Sequence, residues 1–155
     1  MRAVVQRVSR AKVTVGGFVT GEIGRGMLVL LGVSGTDNSD DADHLFDKIL
    51  NLRVFEDADG KMNRSLAHTR GELLIVSQFT LYADTRRGRR PSFVEAASGA
   101  DALTWYEYFV AKAKESVSKV ATGEFGAMMD VELVNDGPVT IILDSKHRKE
   151  KAQKS

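Results

Sequence analysis

Ala11, Val13 and Val15 alternate with Lys12 and Thr14, the period-two rhythm of a strand with one buried face. Phe18–Ile23 reads as the returning strand, with Gly16-Gly17 supplying the tight turn between them. Met27–Val33 is continuously apolar and rich in β-branched residues, which predicts a central strand buried on both faces. Thr36–Ser39 then offers capping side chains. Ala42, Leu45, Phe46 and Ile49 follow at helical spacing. Arg53–Glu56 predicts a short strand before the turn Asp57-Ala58-Asp59-Gly60. Leu73–Phe79 predicts a strand whose far end turns polar. From about Asp101 to Val120, Ala102, Tyr106, Phe109, Ala113 and Val117 share one helical face. Val131–Val134 and Val139–Leu143 close the chain as strands flanking Asp136-Gly137-Pro138. The elements add up to an α+β domain with a mixed, largely antiparallel, barrel-like sheet and two helices, not a doubly wound one.

Composition narrows the class. A chain of 155 residues, 43% hydrophobic and 28% charged, fits one globular domain with a real core. Residues 1–144 are expected to form that domain and 145–155 a mobile basic tail. No apolar run is long enough to span a bilayer, and the N-terminus lacks the apolar core of a secretory signal. A cytoplasmic location without membrane partners is the simplest expectation. With no cysteine there is no disulfide, thiolate nucleophile or Cys-based zinc site. The net charge of +1 hides an uneven distribution, because Arg86, Arg87, Arg89 and Arg90 lie within five residues. Clustered arginines suit phosphate contacts.

The permitted chemistry is limited. His44 falls on the first helix, His68 in a loop and His147 in the basic tail, none beside a polar strand end. No histidine pair has metal-ligand spacing and no nucleophile elbow is present, so neither a metal nor a cofactor is expected. What stands out is Ser77-Gln78-Phe79-Thr80, where the apolar Leu73–Val76 run switches to hydroxyl, amide, aromatic and hydroxyl. Buried polar groups need partners, so this strand end either emerges into solvent or faces a pocket. Tyr82, Asp84 and the arginine cluster directly downstream favour the pocket. The second candidate is Asn135-Asp136-Gly137-Pro138-Val139-Thr140, which holds one of only two prolines. A Gly-Pro pair before a strand is a stiff element that can present backbone carbonyls at a fixed angle, which suits a gate judging a ligand by shape.

The motifs SQFTLYADTRRGRRPSF (Ser77–Phe93) and NDGPVT (Asn135–Thr140), with the opening MRAVVQRVSRAKVTV and the strand GMLVLLGVS, resemble the D-aminoacyl-tRNA deacylase family. The resemblance runs from Met1 to about Leu143; the basic residues beyond Asp144 extend past it. It implies a homodimeric hydrolase that cleaves the ester joining a D-amino acid or glycine to tRNA. Gly137-Pro138 would be the cis Gly-Pro element that each subunit inserts into its partner's pocket, excluding an L side chain by steric clash. Arg7 resembles the residue that steadies this element. Ser77, Gln78, Phe79 and Thr80 would line the pocket, with Arg86, Arg87, Arg89 and Arg90 contacting tRNA. Backbone N–H groups near Phe79 and Thr80 would form an oxyanion hole, assisted by the terminal ribose 2′-hydroxyl. A nucleophilic or water-positioning Thr80 hydroxyl is the alternative within the same reaction. A noncatalytic RNA-binding module and a Ser/Thr esterase of small esters are the competing classes.

Overall fold

A computed structural model describes residues 1–148. Strand β1 (Arg2–Val15) organises the sheet. Its second half pairs antiparallel with β2 (Phe18–Ile23) across Gly16-Gly17. Both glycines have positive φ, +56° and +84°, which matches the turn to the right-handed twist of its strands. The first half of β1 pairs antiparallel with β3 (Gly26–Gly32), and β8 (Asp130–Asp144) runs antiparallel along β1 as well. Beyond β3 the sheet turns parallel, through β6 (Glu72–Ser77) to β7 (Val120–Thr122). At the far edge β2 comes round against β7: a Cβ on Gly21 would lie 2.3 Å from the Thr122 carbonyl oxygen. The sheet is therefore nearly closed. Val8, Val13, Ile23, Leu28, Leu74 and Val76 fill its inside.

The other face carries the larger core, under α1 (Ser39–Asn51) and α3 (Gly99–Ser116). Ala42, Leu45, Phe46 and Ile49 are buried as their spacing predicts. Phe46 meets Phe109 of α3 edge-on, with ring centroids 5.7 Å apart. Asn38 caps α1 and exchanges reciprocal hydrogen bonds with Asp41. Besides the two long helices there is a short one, α2 (Leu66–Thr69), which contains His68, expected in a loop. Its cap Ser65 pairs reciprocally with His68, an imidazole where Glu or Gln would have signalled a capping box.

Several boundaries differ from the sequence expectation, the largest at β1, which begins at Arg2 rather than at Ala11. The 101–120 helix starts two residues earlier, capped by Ser98, and ends at Ser116, leaving Val117 as its C-cap. The 53–56 strand shrinks to β4 (Phe55–Glu56), paired with the short β5 (Met62–Arg64). The 73–79 strand ends at Ser77. Gln78 leaves the extended range (φ −142°, ψ +83°), and Phe79–Tyr82 wind into a 3-10 turn. The two closing strands are a single element, β8, broken by a bulge.

Ser145, where the basic tail was expected to begin, is 1% exposed. The Met1 ammonium donates to its Oγ at 2.7 Å and to Asp37 Oδ1 at 2.5 Å, so the 145 position is tied into the domain. Positions 149–155 of the expected tail lie outside the described residues. Among the described residues no helix is long and apolar enough to cross a membrane.

Candidate active site

The end of β6 and the 3-10 turn after it form one wall of a cavity of about 660 Å³. Ser77, Gln78, Phe79 and Thr80 all line it, as the polar switch after Val76 suggested. Ala97, Gly99 and Ala102, at the start of α3, form a second wall. Their small side chains leave the space open. Phe125–Met129, the loop before β8, close a third side. Tyr106 joins these walls: its hydroxyl donates to the Ile75 carbonyl on β6 at 2.8 Å, and its ring lies 5.6 Å from that of Phe125. Burial pushes the Tyr106 hydroxyl up to about 12, so it stays a neutral donor.

None of the side chains lining this cavity is ionisable. His44, His68 and His147 all lie elsewhere. Among the described residues no three His, Cys, Asp or Glu gather as a metal-holding group. The polar groups on offer are hydroxyls, one carboxamide and main-chain amides. Gln78 Nε2 donates to Thr80 Oγ1 at 2.5 Å; a carboxamide is no base, so this contact does not activate the hydroxyl. The Phe79 and Thr80 N–H groups head the 3-10 turn, whose first bond runs from Leu81 N to Gln78 O at 3.3 Å. Being ahead of that bond, both amides lack an acceptor among the described residues. The Phe79 side chain is 55% exposed and meets Phe93 at 5.0 Å between ring centroids.

That aromatic pair anchors the arginine loop beside the cavity. Asp84 and Ser92 exchange backbone hydrogen bonds of 2.8 and 2.9 Å, closing residues 85–91 into an exposed loop. Arg86 is turned back on Asp84, with two side-chain contacts of 2.9 and 2.8 Å. Hydrogen bonds from the Arg86 side chain and backbone hold the Asp84 carboxyl at about 2. Arg87, Arg89 and Arg90 are exposed and have no ion pair among the described residues. Three of the four arginines expected to meet phosphate are thus unneutralised.

Gly137 and Pro138 do not line the cavity of their own chain. They sit at the tip of the β8 bulge. Gln6 pairs with Thr140 and Val8 with Asn135, so Asp136–Val139 stand opposite the single residue Arg7. The Gly137–Pro138 bond is cis, and Gly137 has φ +133°. Arg7 is 5% exposed. Its Nε donates to the Asp136 carbonyl at 3.0 Å and its terminal nitrogen to the Val54 carbonyl at 2.6 Å. Asn135 closes the neck of the bulge, accepting from Val139 N at 3.1 Å and donating to Thr140 Oγ1 at 3.0 Å. Arg7 and Gly137-Pro138 therefore form one assembly, separate within one chain from Ser77–Thr80.

The sequence profile of the D-Tyr-tRNA(Tyr) deacylase family matches residues 4–144. The chain belongs to this family. A D-aminoacyl-tRNA deacylase of Clostridium kluyveri is 58% identical over 146 residues, 94% of this chain and 98% of its own length. One from Thermosipho melanesiensis is 59% identical over 147 residues, with 94% and 98% covered. A solved structure of a c-Myc DNA unwinding element binding protein superposes with TM-score 0.89 at 46% identity, covering 93% of this chain and 98% of that one. A second, described as a probable eukaryotic D-amino acid tRNA deacylase, shares the fold with TM-score 0.74 at 20% identity, covering 92% and 98%. The family match takes in both the cavity wall and the bulge.

The segment Phe125–Met129 and the first turn of α3 escaped the sequence reading. The available signal was the apolar Phe125 and Ala127-Met128-Met129 on either side of Gly126; Gly126 has φ +79°, and a Cβ on Gly123 would lie 2.5 Å from the Met129 sulfur. Met128 is 92% exposed at the cavity wall, so its apolar character is not spent on the core.

Proposed function

We propose that this chain hydrolyses the ester between a D-amino acid, or glycine, and the terminal ribose of tRNA, releasing the free amino acid and tRNA. The carrying observation is a cavity that, among the described residues, is lined by no ionisable side chain and headed by two amides without acceptors, Phe79 and Thr80. Such a site suits a reaction whose protein contribution is electrostatic. Two fixed N–H groups aimed at the developing oxyanion stabilise the tetrahedral intermediate, each donor being worth about 2.7–4 kcal/mol. The ribose 2′-hydroxyl assists attack by water, so the RNA supplies the proton relay that the cavity walls lack. Ser77 and Gln78 orient the aminoacyl group. Arg87, Arg89 and Arg90 meet RNA phosphates, and Arg86 joins them when released from Asp84.

Chiral discrimination is assigned to a homodimer. The tip of the bulge, Gly137-Pro138, is exposed and does not line its own chain's cavity, which is the arrangement expected if each copy offers it to the other. Backbone carbonyls there hold the substrate α-amino group, and an L side chain collides with the same backbone. A collision discriminates more strongly than one apolar contact, worth only about 1–3 kcal/mol. The reaction belongs to translation quality control in the cytoplasm, where charged tRNA is found.

Incubation with D-Tyr-tRNA, L-Tyr-tRNA and D-tyrosine methyl ester tests this reading. Cleavage of the first alone is expected. Equal cleavage of both tRNA enantiomers removes the chiral gate. Binding without cleavage identifies an RNA-binding module, and turnover of the methyl ester a small esterase. Thr80→Val is expected to keep turnover within about tenfold, whereas a 2′-deoxy terminal ribose loses roughly a hundredfold or more. The opposite pattern, a dead variant with full activity on the deoxy substrate, makes Thr80 the catalytic hydroxyl.

A further inference from the structure

The 3-10 turn that carries Phe79 and Thr80 is only four residues long. So short an element makes two or three internal bonds of poor geometry and is not stiff by itself. Its Gln78 end is fixed, because Gln78 N donates to the Leu31 carbonyl of β3 at 2.8 Å. The other end rests closely on Gly32, where a Cβ would lie 3.1 Å from Leu81 Cβ and 3.3 Å from the Tyr82 ring. Tyr82 is buried, and its hydroxyl faces Ser34 without a hydrogen bond of good geometry among the described residues.

That end is tethered to the opposite terminus of the domain by Arg2. Its NH1 donates to the Leu81 carbonyl at 2.7 Å. Its guanidinium carbon lies 4.6 Å from the centroid of the Tyr82 ring. Its Nε and second terminal nitrogen both lie 3.1 Å from Asp144 Oδ2, at the end of β8. The plane of one guanidinium thus meets three demands at once: a carbonyl, an aromatic face and a carboxylate. Lysine, a point charge on a flexible stem, cannot meet all three.

We infer that Arg2 is a positioning residue for the reaction: by pinning Leu81 and Tyr82, it sets the direction of the Phe79 and Thr80 amides. Asp144 acts through Arg2, holding the guanidinium in plane. The inference rests on the proposed role of those two amides. It places part of the catalytic geometry on residues that touch neither the cavity nor the substrate.

The test compares Arg2→Gln, Arg2→Lys and Asp144→Asn with the wild-type protein on D-Tyr-tRNA. Arg2→Gln is expected to lose roughly tenfold to a hundredfold in kcat, as misplacement of catalytic groups does, with KM changed less than twofold. Arg2→Lys recovers part of the loss, and Asp144→Asn shows a smaller loss of the same kind. In amide NMR spectra of Arg2→Gln, the Phe79 and Thr80 resonances move while those of β2 stay in place. An unchanged kcat, or unmoved Phe79 and Thr80 resonances, overturns the inference. So does an effect confined to KM that varies with salt, which would make Arg2 a phosphate contact. If Arg2→Gln is too unstable to assay, Asp144→Asn decides by the same criteria. A wild-type protein inactive on D-Tyr-tRNA defeats the parent reading instead, and the resonance shifts still judge the tether.

Discussion

Alanine at position 137 is expected to lower D-aminoacyl ester cleavage about a hundredfold, the effect of shifting a positioning group by about an ångström. Gly137 sits at φ +133°, a region that L side chains rarely adopt. A Cβ there would also lie 2.9 Å from Val139 Cγ2 and 3.1 Å from an Arg7 terminal nitrogen. The backbone must therefore relax, and the tip of the bulge moves off the support of Arg7. The flanking β1–β8 pairing on either side of Asp136–Val139 does not depend on this residue. The variant should accordingly fold, with the melting temperature lowered by only a few degrees. Single-turnover deacylation measured beside thermal melting checks both halves. Wild-type turnover in a folded Gly137→Ala protein would separate the bulge from the reaction.

The largest effect on stability is expected at Gly26, far from the chemistry. A Cβ on Gly26 would fall 1.8 Å from the Glu72 carbonyl oxygen and 2.6 Å from its nitrogen. Both atoms are backbone, so no side chain can swing away. Gly26 and Glu72 are also the first pair of the β3–β6 ladder. Gly26→Ala forces β3 and β6 apart where the parallel half of the sheet begins, at a cost of about 3 kcal/mol or more. That is a large share of the roughly 5–15 kcal/mol typical of whole domains. Urea denaturation should show a lowered midpoint or a chain that is insoluble when expressed. Gly35→Ala serves as control, because nothing lies within 4 Å of the added carbon. A Gly26→Ala protein as stable as the control would show that the strands adjust without loss.

Those two glycines also mark how far the sequence can be read. Alternation located the second half of β1, a Gly-Gly turn β2, an unbroken apolar run β3, and helical spacing the buried face of α1, because each rests on a local pattern. The polar switch after Val76 located one wall of the cavity for the same reason: hydroxyl and amide groups do not follow four buried aliphatics without a purpose. The close approaches at Gly21 and Gly26 were not legible, since they depend on which strands meet in space. The 3-10 turn was hidden because Phe79 is an apolar, aromatic residue close behind the β6 run, so it reads as more strand although its backbone has already left it. The Phe125–Met129 wall was hidden because apolar residues in a loop look like core. Arg7 came from family resemblance; nothing in an alternating strand distinguishes a buried arginine from an exposed one. Arg2 gave no signal at all, its partners Leu81 and Asp144 being 79 and 142 residues away.

The bulge in β8 has a further consequence for the solubility of the chain. β8 is fifteen residues long and pairs only with β1 among the described residues. Val134 and Ile142 on it are 40% and 71% exposed. A straight, sticky border of that length would recruit strands from neighbouring molecules and seed fibrous aggregates. Four residues looping out at Asp136–Val139 cut this border into two short stretches out of line with each other. The kink thereby shortens the straight border that another strand could extend.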